Sequence, residues 1–158
     1  MISRTRGLSV IALVALAVSG CSVEVEPGQT PEASSGTIDL AVAETCDEGS
    51  DPQCVPIDGQ YVTNPETFRT ATVEDVVVAE HDGHSAVDLT FAADGEAVLK
   101  SLTQEVAQAG SDARLVMKIG DEIRSAVAVP EPVIGNAMTI PMSSTDSAQD
   151  AVDLILND

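Results

Sequence analysis

The apolar positions of this chain change period twice, and those changes outline a fold. Ile38, Leu40 and Val42 alternate with Asp39 and Ala41, a period of two that predicts a first strand. Val76-Val77-Val78 then leads into His81-Asp82-Gly83-His84, after which Val87, Leu89 and Phe91 alternate with Asp88 and Thr90. Asp-Gly between two such runs is a strong hairpin signal, because glycine tolerates the positive φ of a tight turn. The period lengthens at Leu99, Leu102, Val106 and Ala109, with Asp94 near the start and Gly110 just past the end, which predicts an amphipathic helix. Leu115 to Ile119 and Ile123 to Val129 flank Gly120-Asp121-Glu122 as a second hairpin. Pro130 and Pro132 stop the pairing, a loop runs through Gly135-Asn136, and Met138-Thr139-Ile140 reads as a further strand. Ser143 or Ser144 then opens a last helix with Ala148, Val152 and Ile155 on one face. The order is strand-strand-helix-three strands-helix. It predicts an α+β domain, an antiparallel sheet with two helices packed on one face.

Upstream of this pattern the chain reads as an export and anchoring signal. Arg4 and Arg6 precede an uncharged run from Leu8 to Val18, followed by Val18-Ser19-Gly20-Cys21. The run is about 11 residues, roughly 16 Å as a helix, against a bilayer core of about 30 Å, so it fits a signal peptide rather than a membrane span. The tetrapeptide is a lipobox: an aliphatic residue, two small residues, and a cysteine whose thiol accepts diacylglycerol. Residues 1–20 are therefore expected to be removed and Cys21 to carry the lipid, holding the protein on the extracytoplasmic face of the cell membrane. Each buried CH₂ of the acyl chains adds about 0.8 kcal/mol of membrane affinity. The alternative is an ordinary secretory peptide with a chance cysteine at its end. From Ser22 to Gly36 the chain is rich in Ser, Glu, Pro and Gly and has no apolar period, so residues 21–36 are expected to be a flexible tether and 37–158 a single domain.

Charge and composition narrow the partners. All 26 acidic residues follow Cys21, and two of the seven bases, Arg4 and Arg6, fall in the cleaved segment, so the mature chain carries a net charge of about −21. That field repels nucleic-acid phosphates and anionic headgroups, which excludes nucleic acid as an expected partner and leaves the lipid anchor as the link to the membrane. Tyr61, Phe68 and Phe91 are the only aromatic residues, too few for a sugar-stacking platform or an aromatic cage.

Chemistry-bearing constellations are thin. Besides Cys21 there are only Cys46 and Cys54, and in an oxidising compartment such a pair is expected to close a structural disulfide. The spacing offers neither C-x-x-C for redox work nor a second Cys/His pair for zinc. His81 and His84 flank a predicted turn without an identifiable third ligand, so they read as exposed turn histidines and no metal is expected. Asp47, Glu48 and Asp51 crowd the Cys46–Cys54 loop but lack the register of a calcium loop. No phosphate-binding, dinucleotide-binding or nucleophile-elbow motif is present, so neither a cofactor nor catalysis is expected.

A family resemblance adds to this reading. Val87-Asp88-Leu89-Thr90-Phe91, then Asp94-Gly95 and, after a helix, Leu102-Thr103, resemble the V-x-L-x-F…x-G…L-T run of the P1 head subdomain of SecD-type protein-export proteins. Met117 to Ala126 is similar to that family's hairpin, and Ile134-Gly135-Asn136-Ala137-Met138-Thr139-Ile140 to its "I-x-Gly-Gly…I" arch. The resemblance spans roughly Gly59 to Asn157. Val127 replaces the usual Pro, Gly120-Asp121 inverts the Asp-Gly order, and only Gly135 of the paired glycines is present. The family's proton-driven assistance to translocation rests on transmembrane helices that the matching segment does not include. What the resemblance implies is a module that contacts exported polypeptides or an envelope complex, with Glu131, Val133, Ile134, Gly135 and Asn136 as the partner-binding loop. A small-ligand or ion-binding lipoprotein is the alternative.

Overall fold

A computed structural model describes residues 35–142 and 147–157. Among them the chain forms β1 (Gly36–Glu44), β2 (Cys54–Ile57), β3 (Gln60–Thr63), β4 (Arg69–His81), β5 (His84–Phe91), α1 (Ala93–Ala109), β6 (Ala113–Ile119), β7 (Glu122–Val127), β8 (Ala137–Pro141) and α2 (Ala148–Asn157). Six strands make one antiparallel sheet in the order β7-β6-β1-β4-β5-β8, and β2 and β3 form a separate two-stranded sheet. From β4 onward the elements follow the expected order. The expectation omitted β2 and β3, which lie in a segment whose short apolar runs are broken by Pro56 and by the turn residues Asp58 and Gly59.

The alternation that predicts the strands also sets their faces. Ile38, Leu40, Ala71, Val73, Val87, Leu89, Phe91, Leu115, Met117 and Ile140 are buried on one side of the sheet, in one cluster with Leu99, Leu102 and Val106 of α1 and Ala148, Ala151, Val152 and Ile155 of α2. Fully burying a Leu, Ile or Phe side chain is worth about 1.5–3 kcal/mol, so this cluster is the principal source of stability. The other side is not bare. Val62 of β3 forms a second cluster with Ala43, Val116 and Ala126, joined by Val55, Ile57, Phe68 and Ile123, so the small hairpin covers the β1-β6-β7 part of the opposite face.

Irregularities in the ladder correct the phase of the pattern. Val73 pairs with Phe91, but the next pair is Asp75 with Thr90, leaving Glu74 as an extra residue. Without this bulge Asp75 would enter the core. With it, Val76 opposes Leu89 and is buried, 7% exposed, while Asp75 faces out. The β4–β5 turn is made by Asp82 and Gly83, both at positive φ (53° and 79°), as a type I′ turn requires. Ile119 pairs with Glu122, so the second hairpin turns on Gly120-Asp121 alone.

Two glycines permit the helices to approach. A Cβ at Gly95 would lie 2.2 Å from the Thr72 carbonyl oxygen, and one at Gly36 would lie 2.0 Å from that of Ile155. Gly36, the last residue of the expected tether, thus begins β1. At the start of α1, Asp94 and Glu96 complement the helix dipole, and Asp94 accepts a 2.5 Å hydrogen bond from the Thr72 hydroxyl, which holds its pKa below the usual carboxylate value. Helix α2 is capped by Ser147, whose hydroxyl oxygen accepts from the Asp150 N–H at 3.3 Å. Ser143 and Ser144, expected to open that helix, lie outside the described residues, as do Cys21 and the lipobox. No described helix is long and apolar enough to cross a membrane.

Candidate functional site

Residues 128–136 connect β7 to β8, and their geometry follows from three anchors. Val129 at the near end is buried in the main core, and Val133 packs against the same cluster. The Val133 N–H donates to Oγ1 of Thr103 at 3.2 Å. Thr103 is fully buried on the inner face of α1, and its hydroxyl also donates to the Lys100 carbonyl at 3.2 Å, so its own helix orients the oxygen that accepts the loop. At the far end Asn136 grips Phe91 twice: its carbonyl accepts from the Phe91 N–H at 2.7 Å, and its Nδ2 donates to the Phe91 carbonyl at 3.2 Å. Pro130 and Pro132 fix φ between these points.

The five residues expected to bind a partner divide accordingly. Val133 and Asn136 turn inward and hold the loop, whereas Glu131, Ile134 and Gly135 face solvent. Ile134 is 99% exposed, and Gly135 behind it has φ 105°. An isoleucine presented this completely buries almost no apolar area in the fold. Thr103 had no expected role at the loop, although Leu102-Thr103 belongs to the family-like run. The signal was a threonine four residues after Leu99 and three before Val106, on a stripe otherwise apolar.

Beside the loop, β8 and β5 carry a polar row on the face away from the helices. The Thr139 hydroxyl donates to Asp88 Oδ1 at 2.6 Å, and His81 Nε2 lies 3.1 Å from the same carboxylate. The Thr139 hydrogen bond, then that to His81, holds the Asp88 pKa below the usual carboxylate value. His81 and His84 sit on either side of the Asp82-Gly83 turn, as expected, and no group of three or more potential metal ligands occurs among the described residues.

Cys46 and Cys54 are joined, with their Cα atoms 6.1 Å apart. The Cys46 N–H donates to the Tyr61 carbonyl at 3.0 Å, so the disulfide loop is fastened to β3 and, through it, to the second cluster. Within the loop Asp51 acts structurally, its carboxylate accepting from the Gln53 N–H at 2.7 Å. The Tyr61 hydroxyl bonds to Glu48, which raises the tyrosine pKa. Away from the β7–β8 loop, a concavity of about 500 Å³ is lined by Glu44, Glu66 and Glu105 together with Gln53 and Asn64 and contains no base.

No family model matches the chain, and no curated protein does. Its fold superposes on a crystal structure of SecDF in a super-membrane-facing form with a TM-score of 0.50, covering 77% of this chain at 14% identity. The fold is SecD-like. The match spans 18% of the SecDF chain, and at this identity the likeness concerns the fold alone.

Proposed function

We propose that this protein is a lipid-anchored extracytoplasmic interaction module, held at the cell membrane through Cys21, that contacts exported polypeptides or an envelope complex through its β7–β8 loop. It acts by binding, not by catalysis. The observation that carries the reading is Ile134: a wholly exposed aliphatic side chain on a loop fixed at Val129, Val133 and Asn136. Rigid loops on a packed scaffold are where recognition concentrates. The lipobox supports the address, and the resemblance to the P1 head of SecD-type proteins, joined by the SecD-like fold, supports the polypeptide partner.

A photo-crosslinking amino acid at Ile134 or Glu131, introduced in living cells, is expected to capture exported chains or translocation components. Capture no stronger than from Ser34 in the tether segment overturns the reading. Anchoring is tested separately: Cys21→Ala should move the protein from the detergent to the aqueous phase of Triton X-114, and a wild-type protein already in the aqueous phase contradicts it. The second reading, a small cation-bearing ligand, is favoured by the concavity lined by Glu44, Glu66 and Glu105. A melting temperature that rises with such a ligand as RT ln(1 + [L]/Kd) would promote it.

A further inference from the structure

The two edges of the six-stranded sheet are treated differently. At the β7 edge, β2 packs alongside, and Gln60 donates through Nε2 to the Ala126 carbonyl at 2.6 Å while its Oε1 accepts from Arg114 Nε at 2.9 Å. At the β8 edge no strand pairs among the described residues. The ladder shows which backbone groups that edge offers. The Asn136 carbonyl accepts from Phe91, and the Met142 N–H donates to the Ser85 carbonyl at 3.0 Å. In an antiparallel pair these positions alternate, so residues 136, 138, 140 and 142 turn their backbone groups toward β5, and Ala137, Thr139 and Pro141 turn theirs outward. Ala137 and Thr139 therefore present an N–H and a C=O each, and Pro141 a C=O alone.

Sheet edges are ordinarily blunted by charge, proline, a bulge or a covering element. On β8 only Pro141 does so, at the far end, and the exposed side chains of Ala137 and Thr139 are uncharged. Directly before this open stretch stands Ile134. The loop and the two outermost strands carry acids and neither Lys nor Arg: Asp88 lies on β5 and Glu131 on the loop, with Asp75 on β4, the next strand in, while Lys100 stands on α1 one turn before Thr103. A second copy of the chain would bring two such acidic edges together.

We propose that the β8 edge takes up an extended, cationic polypeptide segment of about five residues as an added strand, with an apolar side chain of the segment resting on Ile134. The proposal rests on the polypeptide-contacting reading above and specifies its mode: outward groups of Ala137, Thr139 and Pro141 supply the ladder, and the acidic surroundings select a basic segment.

The test uses the full chain purified in detergent and a fluorescein-labelled hexapeptide alternating lysine and valine, followed by anisotropy. The unmodified peptide is expected to bind, and N-methylation of all its amides, or Thr139→Pro, is expected to weaken binding about tenfold or more. Replacing its lysines by glutamates should abolish binding. Thr139→Pro removes an outward N–H that β5 does not use, and retained folding is checked by its melting curve. If that variant does not fold, the N-methyl comparison on wild-type protein decides. Equal binding of plain and N-methylated peptides overturns strand addition while leaving polypeptide contact intact. No binding of either peptide also overturns it, and crosslinking from Ile134 then decides the broader reading independently. A stable dimer at the β8 edge would name a second copy as occupant and overturn the proposal.

Discussion

Replacing Gly95 by alanine sets two well-understood effects against each other. Within a helix Gly→Ala ordinarily stabilises by up to about 1 kcal/mol, because alanine loses less backbone entropy. At this position the added Cβ would lie 2.2 Å from the Thr72 carbonyl oxygen and 3.1 Å from Cδ1 of Phe91, both on strands in the sheet. Relieving the first contact requires α1 to withdraw by about 1 Å to reach ordinary van der Waals separation. The same Thr72 carbonyl accepts the Ala92 N–H at 3.0 Å, a bond that such a withdrawal breaks, at a cost of about 1 kcal/mol. Loosened packing beneath Leu99 and Leu102 adds the 1–3 kcal/mol typical of an overfilled core, roughly. The net expectation is a loss of about 1–3 kcal/mol, or roughly 4–12 °C in Tm for a domain of this size. Urea unfolding with an unchanged m-value measures it, and Ala97→Gly on the exposed face of the same helix isolates the propensity effect, expected near 1 kcal/mol. A Gly95→Ala variant as stable as wild type, or more so, would refute the close approach of α1 to β4.

Three further expectations concern the loop, the disulfide and the polar row. Thr103→Val preserves shape but removes the acceptor of the Val133 N–H; a loss of about 1–3 kcal/mol and faster exchange of the Val133 amide should follow, and unchanged exchange would contradict the anchoring role. Intact mass under non-reducing conditions should fall two hydrogens short of the free-thiol value, and Cys46→Ser with Cys54→Ser should cost up to about 2.5 kcal/mol; two alkylatable thiols in native protein would defeat the expectation. Because Asp88 titrates lower in the folded chain than unfolded, its contribution is complete above the unfolded carboxylate pKa and fades as pH falls through the folded value. Thr139→Val should raise the Asp88 titration seen by carboxyl-detected NMR, and an unmoved curve would show that the Thr139 hydroxyl is not the main cause.

What the sequence revealed and what it concealed have physical reasons. Strands β1 and β5 and helix α1 were legible because their apolar period marks the face turned to the main core, Ile38 and Leu40, Leu89 and Phe91, Leu99 and Val106, whereas β6 was legible as a continuous apolar run whose Val116 is buried on the opposite face. The hairpin β2–β3 was not, because Val55, Ile57 and Tyr61 are only partly covered and the segment contains Pro56. The Glu74 bulge was equally hidden, since Val76-Val77-Val78 carries no phase, and only pairing with Leu89 shows which valine is inside. At the candidate site, prolines and Gly135 announced the loop and the resemblance drew attention to Ile134. The division of labour within it depends on long-range bonds from Val133 to Thr103 and from Asn136 to Phe91, which no local pattern encodes.

A polypeptide bound along the β7–β8 loop and the β8 edge would shield the amides of that stretch from solvent. Hydrogen exchange followed by mass spectrometry, on the full chain with and without an unfolded basic polypeptide, reads that shielding. New protection is expected to be confined to residues 131–141, with the amides of Ala137 and Thr139 among those slowed. Protection absent from that stretch, or appearing instead around Glu44, Glu66 and Glu105, would contradict it.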